Sequence, residues 1–322
     1  MTNLEAFRDK NVLVLGDLMI DAYVHGQVHR ISPEAPVPVL LSQKKENRLG
    51  GAANVALNLK KLQANVQLCG LIGDDTHGRL GQELLQKEGL STQGIFVDAS
   101  RKTTTKTRVL ENGKHLLRID EEDLFEIGHQ TEQRILQFLT DILPQTDVLI
   151  LQDYNKGLFG KNIIQKSIQY AHEYGTKVAV DPKMKHFLQF KQVDLFKPNL
   201  KELKEGLQWK KSLDKISDIQ EAIWSLHNKI QAKKIMVTLS EKGVLIFENE
   251  QFFHLPAHPR NIVDVSGAGD AVISVAGLLL ALECSAKEMA RLSNLAGGLV
   301  CEKVGVAPIS FDELAKHAAE GN

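Results

Sequence analysis

The chain has almost no net charge of either sign. Its 39 lysines and arginines are offset by 40 aspartates and glutamates, giving a formal net charge of −1 at pH 7. No basic field exists to attract nucleic acid or an anionic membrane, so an anionic substrate must be held by a few local cations. Cysteine is scarce: Cys69, Cys284 and Cys301 are far apart and odd in number. That excludes a disulfide framework or a metal-site spacing and fits buried thiols in a reducing cytosol. Long apolar runs are missing too. The N-terminal MTNLEAFRDKNVLVLGD holds no signal-peptide core, and Ala271 to Leu282, the most apolar stretch, is too short to span a bilayer. A cytoplasmic protein with no nucleic-acid or membrane partner is expected. Nothing reads Gly-x-x-x-x-Gly-Lys-Ser/Thr, and the first strand runs into Gly16-Asp17 instead of Gly-x-Gly-x-x-Gly. This excludes a Walker A loop and disfavours a Rossmann dehydrogenase. Repeats, low-complexity tracts and charged linkers are also lacking, so residues 1–322 are read as one domain.

What is present is an ordinary globular composition, 43% apolar and 25% charged, with a strand–helix rhythm. Apolar strands are predicted at Asn11–Leu15, Val66–Ile72, Val148–Leu151, Lys177–Val180, Leu195 onward and Ile235–Leu239. Helices are predicted at 51–63, Arg79–Glu88, Ile163–Tyr174, 269–282 and 286–303, the last two closing the fold, with a hairpin at Gly243–Phe247 and Gln251–Leu255. Such alternation points to an α/β fold with a mostly parallel central sheet flanked by helices. Two segments break the rhythm. Residues 18–42 carry Pro33, Pro36 and Pro38, which suggest an extended edge strand, and residues 94–120 alternate like strands around an Asn112-Gly113 turn. They are expected to form a small β-sheet lid.

The sharpest chemical signal is Asp264-Val265-Ser266-Gly267-Ala268-Gly269-Asp270, leading straight into an apolar helix. Small residues let backbone N–H groups converge beside the positive end of a helix dipole, a place suited to a transferring phosphoryl group. Asp270 is positioned to take a proton from an attacking alcohol, and equally to be a helix cap. Far upstream, Gly50-Gly51-Ala52-Ala53-Asn54 opens another helix. Asn199 and Glu202 have the spacing of a helix cap and its N3 partner.

Taken in order, the strand ending Gly16-Asp17, the Gly-Gly-x-x-Asn helix start, Asn199-Leu200-Lys201-Glu202 and Gly267-Ala268-Gly269-Asp270 resemble the signatures of the ribokinase/PfkB family of sugar kinases. The likeness covers essentially the whole chain. It implies a ribokinase-like fold and ATP-dependent phosphorylation of a sugar hydroxyl. Asp270 would be the base, and Gly267, Ala268 and Gly269 the anion hole. Asn199 and Glu202 would organise Mg²⁺ and the phosphates through water. Thr238, Ser240 and Gly243 would lie near phosphate and ribose, and Asn294 near adenine. Asp17, Asp21, Gly50, Gly51 and Asn54 would meet the sugar.

Within that family, Gly16 to Asp21, Arg30 to Val39, Thr105 to Arg108, Asp153 to Gly157 and Asp181 to Lys183 look like bacterial heptose 7-phosphate kinases. The implied substrate is D-glycero-β-D-manno-heptose 7-phosphate, phosphorylated at its anomeric hydroxyl in ADP-heptose synthesis. Its own phosphate calls for cations, for which Lys106, Arg108, Lys156 and Lys183 are the candidates, Arg108 and Lys183 preferred. Each also reads as an ordinary solvated charge. In many bacteria this kinase is fused to a nucleotidyltransferase; no His-x-Gly-His motif occurs here, and activation of the product is expected from a separate protein. A homodimer through the lid is expected, since an exposed small sheet tends to be covered. The other readings are a ribose, fructose or nucleoside kinase of the same family, and a non-catalytic sugar or nucleotide sensor on the same fold.

Overall fold

The computed structural model describes residues 2–257 and 260–320. In chain order the strands are β1 (Asn11–Gly16), β2 (Leu18–Ile31), β3 (Pro38–Gly51), β4 (Asn65–Ile72), β5 (Ile95–Val97), β6 (Thr105–Glu111) and β7 (Lys114–Glu121). They continue with β8 (Val148–Gln152), β9 (Lys177–Asp181), β10 (Leu195–Phe196), β11 (Lys234–Thr238), β12 (Val244–Glu248) and β13 (Gln251–Leu255). The first five helices are α1 (Ala52–Lys61), α2 (Thr76–Lys87), α3 (His129–Ile142), α4 (Lys161–Glu173) and α5 (Leu200–Gly206). The rest are α6 (Ile216–Ile230), α7 (Ala268–Ala281), α8 (Ala286–Cys301) and α9 (Phe311–Glu320).

The central sheet has the order β13-β12-β11-β10-β9-β8-β1-β4-β5. It is parallel from β11 to β5, with β12 and β13 antiparallel at one edge. Period-two side-chain direction divides β1 cleanly: Val12 and Val14 enter one core layer, Leu13 and Leu15 the other. The first layer packs against α1, α7, α8 and α9, the second against α3, α4 and α6. Helix α7 is buried along Ala271–Leu280, between the sheet and its helical neighbours. After β1 the chain moves one way to β4 and β5, then returns to β8 on the other side. This leaves a switch point outside the carboxyl ends of β1 and β8, where open α/β sheets bind ligands.

A second sheet has the order β3-β2-β6-β7. Its extent differs from the expected 18–42 plus 94–120. Residues 95–97 pair with β4 as the last strand of the main sheet, because Ile95 seals the core edge. The charged run through Arg48, which lacks alternation, stays in the small sheet because it pairs with β2 all the way to Gly51. The proline run is the connection between two long strands, closed by Ser32 N–H to Val37 O at 2.9 Å, and the edge strand starts only at Pro38. Asn112 (φ 48°) and Gly113 (φ 81°) form the expected turn. A third helix, α9, follows the two expected to close the fold.

Register gives the small sheet two unlike faces, because directly paired residues share a side. Asp21, Tyr23, Arg48, Lys106, Arg108, Arg118 and Asp120 lie on one; Ala22, Val24, Thr107, Val109, Leu117 and Ile119 lie on the other.

Candidate active site

The glycine turn opens α7 where the sequence places a helix start. Gly267 is the N-cap of α7 with φ 83°, a left-handed conformation that an L side chain adopts only with strain. A Cβ there would also approach Asn54 Nδ2 at 3.2 Å and Val306 Cγ1 at 3.4 Å. Asp264 braces the turn, accepting from Ser266 N–H and Gly305 N–H at 2.9 Å each. Among the described residues, the N–H groups of Gly267, Gly269 and Asp270 have no hydrogen-bond acceptor outside α7, and that of Ala268 makes only a 3.3 Å contact with Val265 O. They are free donors at the positive end of a helix, the arrangement that stabilises an anion.

Asp270 stands in the first turn of α7 and is 5% exposed. It does not cap the helix. Its Oδ2 accepts from Asn54 Nδ2 at 2.6 Å, and its Oδ1 accepts from Tyr154 Oη at 2.7 Å and Gln152 Nε2 at 3.4 Å. Burial pushes its pKa up to about 6, while the Asn54 and Tyr154 hydrogen bonds pull it back. A carboxylate with that pKa is ionised at neutral pH yet remains a useful base. Close by, Lys197 Nζ is 3.1 Å from Asp181 Oδ1, both nearly buried. A Cβ at Gly269 would lie 3.9 Å from that ammonium, so a fixed positive charge borders the anion site.

The residues expected at the sugar divide. Asn54 is fully buried and its amide is committed to Asp270. Its Oδ1 accepts from Asn58, whose own Oδ1 accepts from Ile309 N–H. It thereby fixes the Asp270 carboxylate in place. Asp17 accepts N–H groups from Tyr154 (2.8 Å), Lys156 (3.1 Å) and Leu158 (3.2 Å), which leaves little capacity for sugar hydroxyls. Its role here is to shape the loop after β8. Gly51, the α1 N-cap at φ 59°, lets the chain pass Asp17 O, and Gly50 leaves room for the Asp21 carboxylate, which a Cβ would meet at 2.3 Å.

None of the four expected phosphate-binding cations is free. Arg108 pairs with Asp21 and lies over the Tyr23 ring, its centroid 5.4 Å away. Lys106 pairs with Asp120 and Glu122, and Lys156 with Glu122 at 2.7 Å. Lys183 pairs with Glu202 and sits 5.3 Å from the Tyr154 ring centroid. Burial opposes its charge, but Asp181 and Glu202 hold its pKa above the usual lysine value. Arg48, which the sequence did not single out, ties the small sheet to the body by donating to Val304 O and Val306 O. An open depression beside Asp17 is lined by Arg101, Lys102, Asp123 and Lys156.

On the nucleotide side, Asn199 and Glu202 form a complete capping box on α5. Asn199 Oδ1 accepts from Glu202 N–H and Glu202 Oε2 from Asn199 N–H, both at 2.8 Å. Each oxygen keeps a spare lone pair, which fits a hydrated Mg²⁺ held through its waters. Among the described residues no group of three or more His, Cys, Asp or Glu side chains could ligate a metal directly. Thr238 bridges to Asn199 in parallel register. Ser240 is exposed, and Gly243 (φ 86°) packs against Leu255 O in a tight turn. Asn294, expected near adenine, donates its amide to Pro256 O at 2.9 Å.

The sequence passed over Tyr154, Gln152 and Lys197. Tyr154 lies in a segment whose pattern was noted, but only tertiary contact shows that it touches the base.

Comparison with known proteins agrees with this geometry. Residues 9–312 match the description pfkB family carbohydrate kinase. The chain is 38% identical over 306 residues to the Bifunctional protein HldE of Helicobacter pylori strain P12, covering 95% of this chain and 66% of that protein. It is 39% identical over 315 residues to the Bifunctional protein HldE of Desulfatibacillum aliphaticivorans, covering 97% and 64%. The chain thus spans a little under two thirds of the length of these relatives. In fold it resembles phosphofructokinase-2 from Escherichia coli in complex with potassium, with TM-score 0.81 and 20% identity over 97% of this chain and 98% of that one. It also resembles Arabidopsis thaliana ribokinase complexed with ribose and ATP, with TM-score 0.75 and 19% identity over 95% and 98%. No helix among the described residues is long and apolar enough to cross a membrane. Matched by the family description over residues 9–312 and by relatives at 38–39% identity over nearly its whole length, the chain belongs to the pfkB family of carbohydrate kinases.

Proposed function

We propose that this protein transfers the γ-phosphoryl group of ATP to the anomeric hydroxyl of D-glycero-β-D-manno-heptose 7-phosphate, giving the 1,7-bisphosphate for ADP-heptose synthesis in the cytoplasm. The observation that carries the reaction type is a buried carboxylate, Asp270, in the first turn of a helix where the N–H groups of Gly267, Gly269 and Asp270 are free. The acceptor oxygen attacks the γ-phosphorus while Asp270 takes its proton, and the bond to the ADP oxygen breaks. Charge developing on the phosphoryl oxygens is met by the N–H groups of Gly267 to Asp270 and by Lys197. Mg²⁺, brought on the ATP phosphates, would neutralise their charge, with Asn199 and Glu202 holding its waters. The likeness of the Ser32 to Val39 and Asp153 to Gly157 segments to heptose 7-phosphate kinases supports the acceptor, as does the identity to the HldE proteins.

The cation set also favours a phosphosugar. Lys106, Arg108 and Lys156 converge on carboxylates of the small sheet and its neighbourhood, and a bound phosphate can exchange with those carboxylates. The apolar face of that sheet supports a homodimer: Leu117 and Ile119 are 57% and 47% exposed on it. A coupled ADP-release assay with heptose 7-phosphate, fructose 6-phosphate, ribose and fructose tests the reading. Preference for the heptose phosphate is expected; preference for an unphosphorylated sugar overturns the substrate.

A further inference from the structure

Tyr154 has no part in the mechanism above, yet its hydroxyl sits on the base. It donates to Asp270 Oδ1 at 2.7 Å, while Asn54 holds Oδ2 at 2.6 Å. The carboxylate therefore shows no oxygen without a protein donor. Of its three donors, Asn54 and Gln152 are fully buried and Tyr154, on the loop after β8, is only half-buried, so an acceptor hydroxyl that is to give its proton to Asp270 reaches the carboxylate most readily at the Tyr154 position. The tyrosine backbone cannot swing away, because Asp17 clamps the N–H groups of residues 154, 156 and 158. The side chain alone can turn.

We propose that the Tyr154 hydroxyl is the resting occupant of the acceptor position, keeping water off Asp270 until a sugar hydroxyl displaces it, and so directing the phosphoryl group to sugar over water. The inference rests on the kinase reading of the site. The reaction it suppresses is hydrolysis. A water oxygen attacks the γ-phosphorus, Asp270 accepts a water proton, the bond to the ADP oxygen breaks, and ADP and inorganic phosphate leave. Tyr154 does not act as the base itself: burial and the neighbouring Asp270 and Asp181 carboxylates keep its phenol protonated. The charged groups facing Asp270 are Asp181 on β9, Lys197 after β10 and Lys183 after β9; α1 and β8 present only the neutral Asn54 and Gln152. None of these can fill the position that Tyr154 leaves with a hydroxyl.

The test compares sugar-free phosphate release from ATP with phosphorylation of the acceptor in the full chain. Tyr154→Phe is expected to raise sugar-free hydrolysis about fivefold or more, the scale of one lost hydrogen bond. The ratio of sugar-free hydrolysis to phosphorylation rises by a similar factor or more, and the acceptor KM does not rise. Adding Asp270→Asn returns hydrolysis to the wild-type background or below. Tyr154→Leu, which opens the position further, is expected to hydrolyse ATP at least as fast as Tyr154→Phe. The acid limb of kcat/KM moves to higher pH in Tyr154→Phe, because the lost hydrogen bond favoured ionised Asp270. Unchanged hydrolysis in both variants with phosphorylation intact overturns the proposal, as does loss of both activities in a folded Tyr154→Phe protein. If the wild type phosphorylates no sugar at all, the kinase reading fails instead.

Discussion

At Asp270 two effects oppose each other: removal from water favours the neutral acid, and donors from Asn54 and Tyr154 favour the anion. Burial wins by enough to place the pKa at about 6. The group must be ionised to act, so kcat/KM is expected to rise with pH through about 6 and level off above it, which a pH–rate profile measures. Asp270→Asn is expected to bind ATP normally, by calorimetry, and to lose roughly two orders of magnitude or more in turnover; near-normal turnover removes Asp270 as the base. Gly267 is the other single residue on which the site turns. Gly267→Ala introduces a Cβ at φ 83° and crowds Asn54 Nδ2. A stability loss of roughly 1–2 kcal/mol in urea unfolding is expected, with a larger proportional fall in kcat than in ATP affinity.

At the scale of elements, the loop between β8 and α4 is held from β1. One buried carboxylate, Asp17, gathers three N–H groups that otherwise have no partner there. Asp17→Ala is expected to cost roughly 3–5 kcal/mol and to expose residues 153–158 to proteases, while Asp17→Asn, whose amide oxygen still accepts, costs less. Equal losses for the two variants would show that the charge, and not the count of acceptors, holds the loop. Asn199 and Glu202 teach a related lesson. The capping box is real, and it sets Glu202 where Lys183 can pair with it. A structural cap and a place beside the phosphates are therefore compatible roles for the same two side chains.

At the scale of the whole molecule, the small sheet presents two unlike faces, and the proposed dimer rests on one of them. Its charged face carries Asp21, Arg108 and Arg48, and Arg48 fastens it to the 304–306 turn that borders Gly267. On its apolar face Leu117 and Ile119 are exposed at the β7 edge, while Ala22 is buried. Light scattering after gel filtration is expected to give a dimer, and Leu117→Lys with Ile119→Lys is expected to give a folded monomer. A wild-type monomer at micromolar concentration would remove the lid-mediated dimer.

Local sequence settled much of this protein. The period-two strands, the apolar α7 and the Gly-Ala-Gly-Asp turn are visible because dihedral preference and side-chain alternation act between neighbours in the chain. The same residues mark Asp270 and the free N–H groups at the start of α7. Other features depended on contacts between distant segments. Residues 95–97 joined the main sheet, and the run through Arg48 stayed in the small one, because pairing partners outweighed local pattern. Asn54, Asp17, Asn294 and Lys183, expected at ligands by type, each have a protein partner that only folding brings to them. Tyr154 met the base only through tertiary structure, because a hydrogen bond across 116 residues leaves no local signature in the chain.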